Sequence, residues 1–172
     1  MPRLIGNTAR AESAKGVSTL LPPIDVDEWL SRLGERHDRD TERGARRMVD
    51  WFAAQRLPHD VSKAQASIYA RGIGADGAPL GYPFFIQGEG ATFDVALRWL
   101  WSTKPFESED ARRRLHDRLV AEVPSLRTTG KLGGYPNVAL VALNDDAAWA
   151  PLTAIQRDVL VPAAYVGEIS KN

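Results

Sequence analysis

The chain contains no cysteine. This absence excludes a disulfide framework, thiolate catalysis, and zinc or iron–sulfur sites with cysteine ligands. The chain also lacks an excess of charge of either sign, since 22 lysines and arginines balance 22 aspartates and glutamates. No overall electrostatic field therefore attracts the protein to nucleic acid or to an anionic membrane, and any such role must depend on a local patch.

Long apolar runs are also missing. Met1 to Leu21 has no stretch that resembles the apolar core of a signal peptide, and no later run approaches the roughly 20 apolar residues of a membrane-spanning helix. Arginine outnumbers lysine and alanine is abundant, which is typical of GC-rich bacterial genomes. We therefore expect a bacterial, cytoplasmic protein with no membrane segment.

The chain has 172 residues, enough for one domain that buries its core without metal or disulfides. Residues 1–23 are rich in small and polar side chains and end at Pro22 and Pro23, as is typical of a segment that buries too little to fold. The sequence thus predicts a flexible N-terminal arm over residues 1–23 and a single domain over residues 24–172. The arm is a candidate surface for a protein partner or for a second copy of the chain.

Large apolar side chains occupy every second position from Phe93 to Trp101. This period predicts a half-buried β-strand with its bulky side chains on one face. A helical stripe also fits the segment, and we favour the strand because of its aromatic residues and the glycine-rich turn at 88–90. Strands are also predicted over 66–71 and 82–87, and the three together form an antiparallel meander.

Capping residues and helical periodicity indicate the remaining elements. Two helices are predicted before the meander, beginning near Asp25 and Thr41, and a third begins after Ser108. The apolar run from Val138 to Leu143 predicts a strand buried on both faces, and a last helix follows it. The predicted fold is a single α+β domain in the order α-α-β-β-β-α-β-α, with a mixed sheet of about four strands flanked by helices.

Two glycine motifs are interpreted as turn chemistry. Gly72, Gly74 and Gly77 match the spacing of a dinucleotide-binding fingerprint, but that fingerprint requires a helix to begin within it. Prolines follow at once and prevent such a helix, so a hairpin loop is predicted. The tripeptide Gly-Tyr-Pro occurs at 81–83 and again at 134–136, each time before an apolar strand.

The predicted order of helix, three strands, helix, strand and helix, over about 41–160, resembles the core of the restriction-endonuclease-like superfamily. Its members hold magnesium with carboxylates on the second and third strands, beside a lysine. The resemblance implies Glu89 and Asp94 as candidate catalytic residues and Mg²⁺ as a cofactor. The superfamily's Glu-x-Lys motif does not follow Asp94, however. Alternatively, Glu89 is a solvated turn residue and Asp94 pairs across the strands or with Arg98.

Two groups of arginines lie on predicted helices. On one side of the fold they could neutralise several phosphates and bind nucleic acid in a salt-sensitive manner. Acidic residues are interspersed with them, as on an ordinary solvated helix face, so both interpretations stay open. The candidate nucleic-acid-binding residues are Arg43, Arg46, Arg47, Arg112, Arg113, Arg114 and Arg118.

The motifs contain no complete catalytic or metal-ligating set. We therefore predict a binding protein without catalytic residues, metal or cofactor, which acts through a protein partner or through nucleic acid. One alternative is a divergent Mg²⁺-dependent nuclease that uses Glu89 and Asp94. Another is a small-molecule-binding domain with a pocket beneath Trp99 and Trp101.

Overall fold

Five antiparallel strands form one sheet in the computed structural model, which describes residues 21–73 and 79–160. The strands lie side by side in chain order, β1-β2-β3-β4-β5, and every neighbouring pair is antiparallel. The predicted sheet was mixed and had about four strands. The additional strand is β1, which has three residues and is too short to leave a periodic signal. The sheet is antiparallel throughout because β5 also pairs antiparallel with β4. The strands are β1 (His59–Val61), β2 (Ser67–Ile73), β3 (Pro79–Gln87), β4 (Thr92–Val95) and β5 (Asn137–Ala139).

Helices precede and follow the meander, and the predicted α+β class, single domain and element order are confirmed. The first two helices begin at aspartate caps: Asp25 accepts a hydrogen bond from the Glu28 amide (2.7 Å), and Asp38 accepts one from the Thr41 amide (2.6 Å). No helix among the described residues is long and apolar enough to span a membrane. The helices are α1 (Val26–Arg36), α2 (Arg39–Ala54), α3 (Leu97–Leu100), α4 (Glu109–Glu122) and α5 (Asp146–Leu160), with a 3₁₀ helix over Leu140–Asn144.

The hydrophobic core lies between the helices and one face of the sheet. Alternate strand residues point into it, and Phe52 of α2 packs on Phe93 of β4 with ring centroids 6.3 Å apart. Because the side chains alternate, the residues between the core positions lie on the opposite side, which we call the outer face. The sheet residues of the core are Ile68, Ala70, Phe84, Ile86, Phe93, Val95 and Val138.

The predicted strand over 93–101 is wrong in its second half. Strand β4 ends at Val95, and the chain then turns into α3. Leu97 and Leu100 are both fully buried, and side chains three positions apart reach the same core only in a helical conformation. Trp99 and Trp101 are consequently 41% and 58% exposed, whereas the strand interpretation placed both in the core or left one of them for a partner.

The apolar run at 138–143 likewise divides between two elements. Strand β5 ends at Ala139, and the 3₁₀ helix takes up the rest of the run. Leu140 and Leu143 are buried while Val141 is 47% exposed, which matches the period of three in a 3₁₀ helix. The prediction of a single strand buried on both faces is therefore wrong, because the run buries one face of a helical turn.

Most of the predicted N-terminal arm, residues 1–20, lies outside the described residues. Pro22 is described, and its carbonyl accepts a hydrogen bond from Gln65 Nε2 (2.6 Å). Gly74 and Gly77 of the glycine motif also lie outside the described residues. The described strands on either side, β2 and β3, pair antiparallel.

Candidate binding face of the sheet

Five aromatic side chains meet on the outer face of the sheet, and we call them the aromatic face. Neighbouring rings have centroids between 4.8 and 6.2 Å apart. Four of the rings are half-buried, and Trp99 is exposed. Five contacting aromatic rings on a sheet surface form an extended apolar platform. They are Tyr69 of β2, Tyr82 and Phe85 of β3, Trp99 of α3, and Tyr135 of the loop before β5.

Strand register sets the central rings of this platform. Tyr69 lies directly opposite Phe85, and Phe85 lies opposite Asp94 on the other side. Asp94 in turn faces Asn137 of β5. Directly paired residues share a face of the sheet, so this row runs across four strands on the outer side.

A β-bulge brings Tyr82 onto the same face. Between the pairs Ala70 with Phe84 and Gly72 with Gly81, one residue of β2 faces two residues of β3. Strict alternation from Phe84 would point Tyr82 into the core, and the bulge removes that constraint. The Tyr82 ring instead packs edge-on against Tyr69, with centroids 4.8 Å apart.

The two Gly-Tyr-Pro segments flank the end of β4. The Val95 amide donates a hydrogen bond to the Pro136 carbonyl (2.9 Å), and the Ala96 amide donates one to the Pro83 carbonyl (2.8 Å). These bonds bring both tyrosines beside Trp99, which lies three residues after Ala96. The repeated tripeptide was therefore a usable signal for Tyr82 and Tyr135, which the sequence analysis did not name as site residues.

Trp99 is the centre of the aromatic face. Its ring centroid lies 5.6 Å from Phe85, 5.9 Å from Tyr82 and 6.2 Å from Tyr135. The Tyr82 and Tyr135 rings stand at 72° and 83° to the indole plane. In such edge-to-face packing the edge of one ring contacts the face of its neighbour, and Trp99 remains 41% exposed.

The five rings of the aromatic face line a concave surface that encloses a volume of about 440 Å³. This volume lies within the usual range of ligand pockets, roughly 300–1,000 Å³. Trp99 lines it, as the small-molecule hypothesis expected, while Trp101 is not among the lining residues. The polar side chains of the lining are Ser62, Lys63 and Ser67.

Asp94 lies in the same outer row as Phe85 and is only 5% exposed. Thr92 Oγ1 donates a hydrogen bond to Asp94 Oδ2 (2.6 Å). Burial raises the pKa of Asp94 to about 6, and hydrogen bonds with Thr92 and Asn137 partly oppose this rise. The contact with Asn137 is the cross-strand pairing that the sequence analysis held open for Asp94.

Glu89 and Asp94 occupy different environments. Glu89 is exposed in the turn between β3 and β4. The pair formed by Gln87 and Thr92 closes this hairpin, and Asp94 is buried two residues after Thr92. Two residues span about 7 Å along a strand. Residues 21–73 and 79–160 contain no group of three or more histidine, aspartate or glutamate side chains arranged to hold a metal ion.

The candidate arginines of α2 bind acceptors within the protein. Hydrogen bonds to the carboxylates of Asp27 and Glu42 raise the pKa of Arg46 above its ordinary range. Arg47 also donates to the Leu143 carbonyl (2.8 Å) and lies 4.3 Å from the Trp149 ring centroid. The ion pairs of this group are Arg43 with Asp40 (3.1 Å), Arg46 with Asp27 (2.7 Å) and Glu42 (3.1 Å), and Arg47 with Asp146 (2.5 Å).

The candidate arginines of α4 are engaged in the same way. Arg112 donates to the backbone carbonyls of Phe106 (2.5 Å) and Glu107 (2.9 Å). Arg114 also takes part in an interaction within the protein. The ion pairs of this group are Arg113 with Glu109 (2.6 Å), and Arg118 with Glu122 (3.1 Å) and Asp158 (2.7 Å).

The two arginine groups meet α5 at opposite ends. Arg47 pairs with Asp146, the first residue of α5, and Arg118 pairs with Asp158 near its end. Twelve residues of helix separate these two aspartates, or about 18 Å at 1.5 Å per residue. Arg47 and Arg118 therefore do not converge on one phosphate-sized site.

No protein-family model matches the chain, and no curated protein or solved structure matches it either.

Proposed function

We propose that this protein is a binding protein whose ligand-binding surface is the aromatic face of the sheet, and that its ligand presents planar rings. The observation that carries the proposal is Trp99, which is 41% exposed although it contacts three other aromatic rings. Exposure alone does not distinguish Trp99, since Trp101 is 58% exposed; Trp99 differs because it is exposed within a cluster of contacting rings. It offers a rigid apolar surface to solvent beside a concave lining.

The proposal keeps the predicted setting, a bacterial protein of the cytoplasm. It also unites two of the sequence hypotheses, since the aromatic face combines the expected pocket at Trp99 with a binding role that requires no catalytic group. A protein partner held by the N-terminal arm is compatible with it, because the arm and the aromatic face are separate parts of the chain.

Titration of the ¹⁵N-labelled protein with adenosine, followed by NMR, tests the proposal. We expect chemical-shift changes concentrated on Tyr69, Trp99 and Tyr135. We expect Trp99→Ala to weaken adenosine binding about tenfold, because one aromatic stacking contact with a base contributes about 1–3 kcal/mol. The dispersion of the spectrum shows in the same experiment whether the variant remains folded.

Trp101→Ala is the matched control for this titration. Trp101 is a more exposed tryptophan two residues away, but its ring lies beside Arg112 and it is absent from the pocket lining. We expect this variant to bind adenosine as the unchanged protein does. Equal weakening by both variants, or shift changes that map away from the aromatic face, would contradict the proposal.

A further inference from the structure

We infer that the ligand of the aromatic face is single-stranded nucleic acid, with unpaired bases stacked on the rings and phosphates held by Lys63, Arg71 and Arg127. This inference rests on the proposed function and names its ligand. Stacking and positive charge are the two features that sequence-tolerant single-strand binding requires.

Positively charged residues predominate in the segments that supply the aromatic face. Its rings come from four segments of the chain, residues 61–71, 82–87, 96–104 and 124–136, which contain no aspartate or glutamate. The chain as a whole is neutral, so this local excess is not a consequence of composition. The cations of the four segments are Lys63, Arg71, Arg98, Lys104, Arg127 and Lys131, all of them exposed.

Three of these cations have positions at the aromatic face itself. Lys63 belongs to the lining of the concave surface, and the guanidinium carbon of Arg71 lies 5.9 Å from the Tyr82 ring centroid. Arg127 extends the outer row at the opposite edge, because it pairs antiparallel with Asn137 through two backbone hydrogen bonds of 2.7 and 2.9 Å. The rings therefore lie between positive charges on both sides, as a strand with phosphates along its length requires.

Two acidic residues also lie in the outer row, but the six cations outnumber them. Asp94 is buried and accepts a hydrogen bond from Thr92, and Asp60 is exposed opposite Tyr69 at the β1 edge. None of the six cations forms an ion pair with another described residue. The helix arginines differ in this respect, since ion pairs or backbone carbonyls already hold most of them. We therefore place the proposed nucleic-acid contact on the sheet, whereas the sequence-based hypothesis placed it on the helices.

Fluorescence anisotropy with labelled 12-nucleotide RNA, 12-nucleotide DNA and a 12-base-pair DNA duplex tests this inference in the full chain. We expect at least one single strand to bind at least tenfold more tightly than the duplex, and the RNA and DNA arms identify which sugar is preferred. Three phosphate contacts at a slope of about 0.7 each predict that affinity falls about twentyfold between 50 and 200 mM salt.

A charge-removed variant, Lys63→Gln with Arg71→Gln and Arg127→Gln, is expected to bind at least tenfold more weakly at 50 mM salt and to lose most of the salt dependence. The matched control removes the same charge from the helices by Arg43→Gln, Arg46→Gln and Arg113→Gln. We expect that control to bind the oligonucleotides unchanged.

Several results overturn the inference. If the helix variant loses affinity and the sheet variant keeps it, the helix arginines are the binding residues. If duplex and single strands bind equally, bases do not stack on the rings. If a proline-rich peptide binds in a Trp99-dependent manner and the oligonucleotides do not, the face recognises protein. In that last case, or if adenosine binds and oligonucleotides do not, the proposed function stands and only this inference fails.

Discussion

Gly44→Ala is expected to lower the free energy of unfolding by roughly 3 kcal/mol. A Cβ atom added at Gly44 would lie 1.9 Å from the backbone oxygen of Leu140 and 2.7 Å from its carbonyl carbon. Backbone cannot move aside as a side chain can, so α2 and the 3₁₀ helix must separate and open the core between them. In an exposed helix the same substitution stabilises by about 1 kcal/mol, so the sign of the effect is diagnostic.

Gly34→Ala in α1 is the matched control. Its new Cβ would lie 2.5 Å from Glu42 Oε2, the far end of a flexible and partly exposed side chain, and 3.2 Å from Glu42 Cβ, which must shift slightly. That oxygen can rotate away, so we expect a change within about 1 kcal/mol. Urea unfolding of both variants measures the difference. A Gly44→Ala protein as stable as the original would show that the helices do not approach this closely.

Asp94→Asn is expected to raise the free energy of unfolding at pH 7 by on the order of 3 kcal/mol and to have little effect at pH 4. The pKa of Asp94 rises from 3.8 to about 6 on folding, chiefly because burial disfavours the carboxylate. A difference of about 2 units corresponds to that free energy. Asparagine has nearly the same shape, and its side-chain oxygen can still accept the hydrogen bond from Thr92.

The sign follows from the two protonation states. Below pH 4 the carboxyl is protonated in both the folded and the unfolded protein, so the burial of Asp94 does not lower the free energy of unfolding there. Between about pH 4 and 6 the unfolded chain loses its proton while the folded protein keeps it, and stability falls as the pH rises. Above pH 6 the folded protein contains a buried carboxylate, and the penalty remains constant.

Urea unfolding of the original protein and of Asp94→Asn at several pH values checks this expectation, and the difference between them isolates Asp94 from other carboxylates. Asp60→Asn, an exposed aspartate on the same row, is expected to leave the profile unchanged. A constant difference between pH 4 and 7 would contradict a pKa near 6.

The nuclease alternative makes its own prediction, that Mg²⁺ stabilises the original protein and not Asp94→Asn.

Local features of the fold were predictable because they depend on neighbours in sequence. Asp25 caps α1 as predicted, since a cap requires only a side-chain oxygen and an amide three residues on. Helix α2 is capped by Asp38 and not by the predicted Thr41. The capping hydrogen bond is donated by the Thr41 amide to the Asp38 side chain. Asp94 lies on the outer face of the sheet, on the side of its strand opposite Phe93, as the alternation predicted. Its burial depends on the surrounding rings and strands, which a period of two does not reveal.

The candidate site was less predictable because it is assembled across elements. Trp99 shares a sequence period with Phe93, yet the two side chains lie on opposite sides of the sheet after the chain turns into α3. Tyr82 reaches the outer face through a bulge that depends on pairing with β2. Arg127 joins the row through a bridge to Asn137.

From the sequence we could deduce the α+β class, the order of the predicted elements, the starts of α1 and α4 and the absence of cysteine chemistry, but not β1 or α3. These properties follow from composition and from periods within a few residues. The end of β4 at Val95, the burial of Asp94 and the clustering of five aromatic rings on one face became clear only from the packed structure. The same holds for the lack of ion pairs between the nearby cations and the other described residues. Each of these results depends on which segments pack together, because burial and register are properties of the assembled sheet and core.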